Sequence, residues 1–199
     1  MNLEVVKPLV KGILEASLCE AKKGNPGPYP FEWTLQGLGM LRTYFGQSLR
    51  LHVWDSRYSV GASEMHTHPW DMESFVVVGG ITNIRYGPGL DEIPNFWEQK
   101  IKCGAGGGLE GSPKKVSLRE FSPQLIKPGE TYKQEAWEIH TSHPHDGTVT
   151  LVQRTFKDDV DRAYVYWPLN QEWISAEPRS ATPDEVAAIL SWSLEEWFS

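Results

Sequence analysis

Long apolar runs, basic stretches and cysteines are all scarce in this chain, and each scarcity excludes something. No apolar run approaches the roughly 18 residues that a membrane-spanning helix requires, so no membrane partner is expected. Lys and Arg number 19 against 26 Asp and Glu, a net charge of −7 with pI near 5.4. Without a basic run, that balance argues against nucleic acid or an anionic membrane surface as partner. Only Cys19 and Cys103 are present, too few for a disulfide framework, and this fits a reducing compartment. The opening Met-Asn-Leu-Glu-Val-Val-Lys-Pro has no basic region followed by an apolar core, and no Asn-x-Ser/Thr sequon follows. The expected location is therefore cytoplasmic.

What the chain does have is aromatic and β-branched residues, in a length sufficient for one domain with a sizeable core. Of 199 residues 40% are hydrophobic, and nine are Trp. Val6, Leu9, Val10, Ile13, Leu14 and Leu18 recur at helical spacing, with Pro8 suited to a first turn, so a helical segment is expected over about residues 3–20. Gly24-Asn-Pro-Gly-Pro breaks it. A β-rich barrel is expected over about 32–167, from the runs Leu38–Phe45, Ser48–Trp54, Phe75–Tyr86, Phe96–Lys102, Val116–Phe121, Thr131–His140 and Thr148–Phe156. Cys103–Lys115, rich in glycine, reads as a surface loop. Thr182-Pro-Asp-Glu185 is a capping box with Pro at the first helical position. Val186, Ile189, Leu190, Leu194 and Trp197 then continue an amphipathic helix over about 183–197. Residues 1–199 thus read as a single domain.

Five of the six histidines fall into two clusters, His66-Thr67-His68 and His140, His143 and His145. On a strand, residues two apart face the same side, so His66 and His68 point together. Glu73 follows the Pro69-Trp70-Asp71-Met72 connection, and a hairpin would return it beside them. His140, on a distant strand, would supply a third imidazole. Three nitrogens and one carboxylate suit Fe(II), Mn(II), Ni(II), Co(II) or Zn(II), with positions left open for substrate or O₂. His143 and His145 flank Pro144 before the turn dipeptide Asp146-Gly147 and read as solvent-facing turn residues. His52, between Leu51 and Val53, is assigned no function. Ser112-Pro113 stands where a phosphate loop would carry Lys-Ser/Thr. Ser142, His143 and Asp146 crowd one loop and do not make a hydrolase triad.

These residues resemble the cupin superfamily. Its first motif reads here as Gly61, four residues, His66-Thr67-His68, four residues, Glu73, six residues and Gly80. Lys127-Pro128-Gly129 looks like the turn of the second motif, though His140 comes later than that motif places its histidine. The resemblance covers roughly residues 50–157. It implies a mainly β, double-stranded β-helix (jelly-roll) barrel holding one divalent transition metal, with His66, His68, Glu73 and His140 as ligands. Fe(II) is favoured, with Zn, Ni or Mn as alternatives. It also implies a homodimer joined at a barrel edge. The fold hosts many chemistries, so three readings stay open. The first is an Fe(II) oxygenase or dioxygenase acting on a small organic molecule. The second is a redox-silent isomerase, lyase or hydrolase using the metal as Lewis acid. The third is a non-catalytic small-molecule binding protein. Trp70 and Trp137 are expected to exclude water, and Tyr132 or Arg154 to meet a polar substrate group.

Overall fold

Strands dominate the computed structural model, which describes residues 1–25, 32–61, 64–102, 108–157, 162–175 and 177–199. Helix α1 (Leu3–Ala21) leads to β1 (Thr34–Gln36), β2 (Leu38–Phe45), β3 (Leu49–Ser59), β4 (Met65–His66), β5 (Trp70–Val78) and β6 (Ile81–Pro88). An excursion follows, made of β7 (Phe96–Ile101), β8 (Leu109–Val116) and β9 (Leu118–Glu120). The chain returns through β10 (Gln124–Ile126), β11 (Thr131–Gln134), β12 (Ile139–Pro144) and β13 (Val149–Phe156). Then come β14 (Ala163–Pro168), β15 (Arg179–Ser180) and helix α2 (Pro183–Trp197).

Two antiparallel sheets face each other. One runs β11-β5-β13-β3-β2-β1-β15, the other β10-β6-β12-β4-β14-β7-β8. Count β3, β4, β5, β6, β10, β11, β12 and β13 as first to eighth. The first sheet then orders the first, eighth, third and sixth, and the second orders the second, seventh, fourth and fifth. That interleaving is the double-stranded β-helix, a jelly roll closed by strands far apart in sequence. The expected barrel and its two flanking helices are present.

Side-chain alternation divides the work of the first sheet. Leu35, Leu41, Leu51, Val53, Phe75, Val77, Val149 and Leu151 face outward and form one core with Val10, Leu14, Val186, Ile189 and Leu190 of the helices. Their alternates, among them Arg42, Tyr44, Arg50, His52, Met72, Thr150 and Arg154, face the interior and line a cavity. Both helices therefore dock on the outside of the barrel, and α2 is tied there by polar contacts. Ser193 Oγ donates to the Gly147 carbonyl at 2.7 Å, and Trp197 Nε1 donates to that of Asp146 at 3.1 Å. The capping box forms, with Thr182 Oγ1 accepting from the Glu185 amide and Glu185 accepting from that of Thr182.

Several boundaries differ from expectation. Residues 109–115 of the expected loop belong to β8, which pairs with β7, while 103–107 lie outside the described residues. The continuous run Thr131–His140 divides into β11 and β12, which belong to opposite sheets, because the chain turns over at residues 135–138. Phe75–Tyr86 likewise divides at Gly79-Gly80. Gly79 has φ +78°, and a Cβ there would strike Thr148. Strand β14 fell outside the runs picked from sequence. Helix α1 starts at Leu3 as expected, capped by Asn2 Oδ1 on the Glu4 amide, which puts Pro8 inside the helix rather than in its first turn.

Leu190 is fully buried between α1, α2 and the sheet, so Leu190→Ala should destabilise the protein by about 2–5 kcal/mol. Loss of the cap in Thr182→Ala should cost only about 1 kcal/mol. Urea unfolding of the two variants checks the order; a larger loss from the cap would contradict this placement of the core.

Candidate metal centre

Strand β4 is only two residues long, yet it lies between β12 and β14, with His66 opposite both His140 and Val165. This register, rather than any local sequence feature, brings the two histidine clusters together. His68 lies beyond the strand end. Its position is held by Thr67, whose amide donates to the Tyr164 carbonyl and whose Oγ1 accepts from the Tyr164 amide, both at 2.9 Å. The His68 amide donates to the Ala136 carbonyl at 3.1 Å.

The donor nitrogens of His66, His68 and His140 all lie within 4.8 Å of one another, a set that could hold a metal ion. His66 Nδ1 is 2.6 Å from the Glu64 carbonyl oxygen. A carbonyl only accepts, so the proton sits on Nδ1 and the Nε2 lone pair is free. His140 Nδ1 lies 3.0 Å from Asn83 Oδ1. The Asn83 amide is oriented by its own bond from Nδ2 to Gln134 Oε1 at 3.4 Å and by the Ser142 hydroxyl at 3.3 Å. His140 Nε2 then faces His68 Nε2 at 3.0 Å. Two nitrogens bound at ~2.1 Å to one ion at about 90° are also about 3.0 Å apart. The chemistry of the set fits a divalent transition metal, and imidazoles whose other nitrogen is hydrogen-bonded are the usual form of such ligands.

Burial lowers the pKa of all three histidines. For His68 the neighbouring His66 and His140 push it down further, and for His140 His66 and Arg85 do so. His66 and His68 are half-buried and line the cavity, and His140 is buried. All three are accordingly neutral at physiological pH, as ligands must be.

Glu73 does not join them. Strand parity places it on the outer face of the first sheet, where its carboxylate pairs with Lys133 Nζ at 3.0 Å. The hairpin assumed from sequence would have carried it inward, but β5 begins at Trp70 and sets Met72 and Ser74, not Glu73, toward the cavity. His143 lies within β12, exposed, with Nδ1 3.3 Å from Glu64 Oε2. His145 is an exposed residue of the turn. Trp137 is 69% exposed and shields nothing. Trp70, Tyr132 and Arg154 do line the cavity.

That cavity has a volume of about 1100 Å³. Trp70 stacks on His68, with ring centroids 5.3 Å apart and planes at 26°. Three residues of the site went unrecognised in the sequence. Asn83 carries no motif of its own. Arg42 and Arg50 could have been found from the alternation Arg42-x-Tyr44 and Arg50-x-His52-x-Trp54, which puts polar and aromatic groups on the face opposite Leu41, Leu51 and Val53.

No protein-family model matches the chain, and neither does any curated protein sequence. Among solved structures it is similar to a hydroquinone 1,2-dioxygenase crystallised with Cd²⁺ and 4-hydroxybenzonitrile, at 17% identity and a TM-score of 0.32. The alignment covers 62% of this chain and 61% of that one, so the chain spans about three fifths of that protein's length. A likeness this distant transfers neither substrate nor chemistry. Strand order and side chains define the class by themselves: a jelly-roll barrel with three converging histidines on its inner wall.

His52 shares the low pKa of the three histidines, pushed well down by burial and then by Arg50, Arg42 and Arg154. These imidazoles refuse protons in the folded protein but accept them near pH 6.5 once unfolded. The metal-free protein should therefore keep its stability above about pH 6.5 and lose it as pH falls below that value, where the unfolded chain binds more protons. Denaturant midpoints of apoprotein between pH 7.5 and 5 check this, with His52→Gln flattening the slope; an unchanged slope in that variant would contradict it.

Proposed function

We propose that this protein is a metal-dependent cupin-type enzyme acting on a small organic molecule, with Fe(II) as the metal and oxygenase chemistry as the reaction. The observation that carries the reading is the convergence of His66, His68 and His140 on the wall of the barrel's cavity. Three nitrogen donors leave coordination positions open for substrate and O₂, and iron bound there would supply the one-electron chemistry that amino-acid side chains lack. The chain's own residues do the rest. Glu64 and Asn83, through His66 and His140, hold the imidazole lone pairs facing inward. Trp70 braces His68 and, with Phe156, Met72 and Tyr132, gives the cavity the apolar lining that keeps water from competing with a substrate.

A second reading has one observation in its favour. With Glu73 on the outer face, the donor set among the described residues is three imidazoles, a set that also suits catalytic zinc and Lewis-acid chemistry. A cytosolic location and a homodimer joined at a barrel edge belong to the same proposal; the free, exposed thiol of Cys19 suits a reducing compartment.

Metal analysis of protein purified without chelators separates the readings. Near-stoichiometric iron, lost in a His66→Ala/His68→Ala double variant and followed by substrate-dependent O₂ uptake, is the expected result. Stoichiometric zinc without O₂ uptake would favour the Lewis-acid enzyme, and no metal after reconstitution would sink both. Glu73→Ala should keep its metal. Asn83→Leu, which takes away the partner of His140 Nδ1, should weaken metal binding by about 10–100-fold.

A further inference from the structure

Across the cavity from the histidines, the inner face of the first sheet is cationic. The guanidinium carbons of Arg42, Arg50 and Arg154 lie 5.5, 5.0 and 5.6 Å from one ring centroid, that of Tyr44. Arg50 and Arg154 also lie over Trp70, at 4.8 and 5.0 Å. Like charges gathered in a partly desolvated place repel, and burial lowers the pKa of Arg42 and Arg154. Arg42 donates to Gln36 Oε1 at 3.0 Å and Thr34 Oγ1 at 3.1 Å, and Arg154 donates to the Gln47 carbonyl. Among the described residues, no carboxylate forms an ion pair with Arg42 or Arg154.

The same wall carries polar atoms with nothing to bind. Among the described residues, His52 Nε2, Trp54 Nε1, Thr150 Oγ1 and Arg154 Nε are buried and have no hydrogen-bond partner. All four residues line the cavity, and His52 and Trp54 are only 7% and 8% exposed. A buried polar atom without a partner costs about 1–3 kcal/mol, and several in one wall, beside the guanidinium groups of Arg42 and Arg154, suit an acceptor-rich, negatively charged group.

We propose that the cavity takes a small organic oxyanion, its anionic head held among Arg42, Arg50 and Arg154 and its body extending toward His66, His68 and His140. This deepens the functional reading above and rests on it for the identity of the reacting end, but the anion subsite stands on the opposite sheet and can be tested without a metal. Carboxylates and phosphate esters share the required chemistry. The forked guanidinium groups suit either, and the aromatic surfaces of Tyr44 and Trp70 suit a flat apolar body.

The test is calorimetric titration of metal-free protein, and of His68→Ala, with benzoate, cinnamate, succinate and phenyl phosphate against benzamide and cinnamamide. Anions should bind at least tenfold more tightly than the matching amides in both proteins. Benzoate against phenyl phosphate then identifies the preferred head group. Arg154→Gln should lose at least tenfold of that affinity and Arg42→Gln/Arg154→Gln all of the anion preference, with thermal unfolding and metal loading serving as controls for folding. Amides that bind as well as the anions, or no binding by any probe, would overturn the subsite, as would a folded double variant that keeps its anion preference. Anion binding to a wild-type protein that takes up no metal would leave the subsite standing and remove the enzyme reading. Stoichiometric metal without anion preference would do the reverse.

Discussion

One alternation governs this molecule. Along β2, β3, β5 and β13, every second side chain is committed to the helices outside the barrel, and the residues between are released to the inside. The larger dry core thus sits between sheet and helices, and only a smaller cluster of Met72, Val76, Ile126, Tyr132 and Val152 packs between the two sheets. A jelly roll that packed its interior would have no room for a ligand. Here α1 and α2 supply the apolar burial that folding requires, and the interior can hold arginines, histidines and an open volume. The site depends on the helices although neither touches the histidines.

The histidines and the arginines occupy facing walls for the same topological reason. His66 and His140 come from strands of the second sheet, which interleaves with the first through connections that cross from one to the other. Trp70 links the two groups: it stacks on His68 and lies under Arg50 and Arg154. Movement of that indole would disturb both ends of a bound molecule together. Its place at the first residue of β5, just after Pro69, restricts such movement.

Local signals in the sequence carried the fold well. The capping box at Thr182, the helical periodicity at both ends and the histidine pair each depend on neighbours within a few residues, and each is present in the structure. What the sequence did not carry depends on pairing across the barrel. The split of Thr131–His140 requires knowing that the chain changes sheets after Gln134, a decision taken by partners in β5 and β6 and invisible in β-propensity. The misplacement of Glu73 has the same origin. A strand start assigned a few residues too late turned a connection into free chain, and free chain can be drawn back toward any neighbour, whereas a strand beginning at Trp70 fixes the parity of every residue after it. Polar residues at alternate positions, as in Arg42-x-Tyr44 and Arg50-x-His52, look like a solvated face until the helices are known to cover the other side.

The outward position of Glu73 bears on more than coordination. A carboxylate among the donors would have cancelled one of the two charges of a divalent ion; three neutral imidazoles cancel none. A divalent ion in this barrel would therefore bring its full charge into a cavity whose opposite wall already carries three guanidinium groups, with no described carboxylate paired to Arg42 or Arg154. Such an interior is stable only with compensating negative charge. Glu64, at the rim, is engaged by His143 and supplies its backbone, not its carboxylate, to His66. On the reading proposed above, compensation arrives with what binds. An anionic ligand and a metal would each favour the other, because each lowers the electrostatic cost that the other imposes on the empty site. On that proposal, the absence of an acidic ligand among the described residues, the gathering of arginines and the unpartnered polar atoms of β3 and β13 answer one requirement: charge balance is completed by the substrate rather than by the protein.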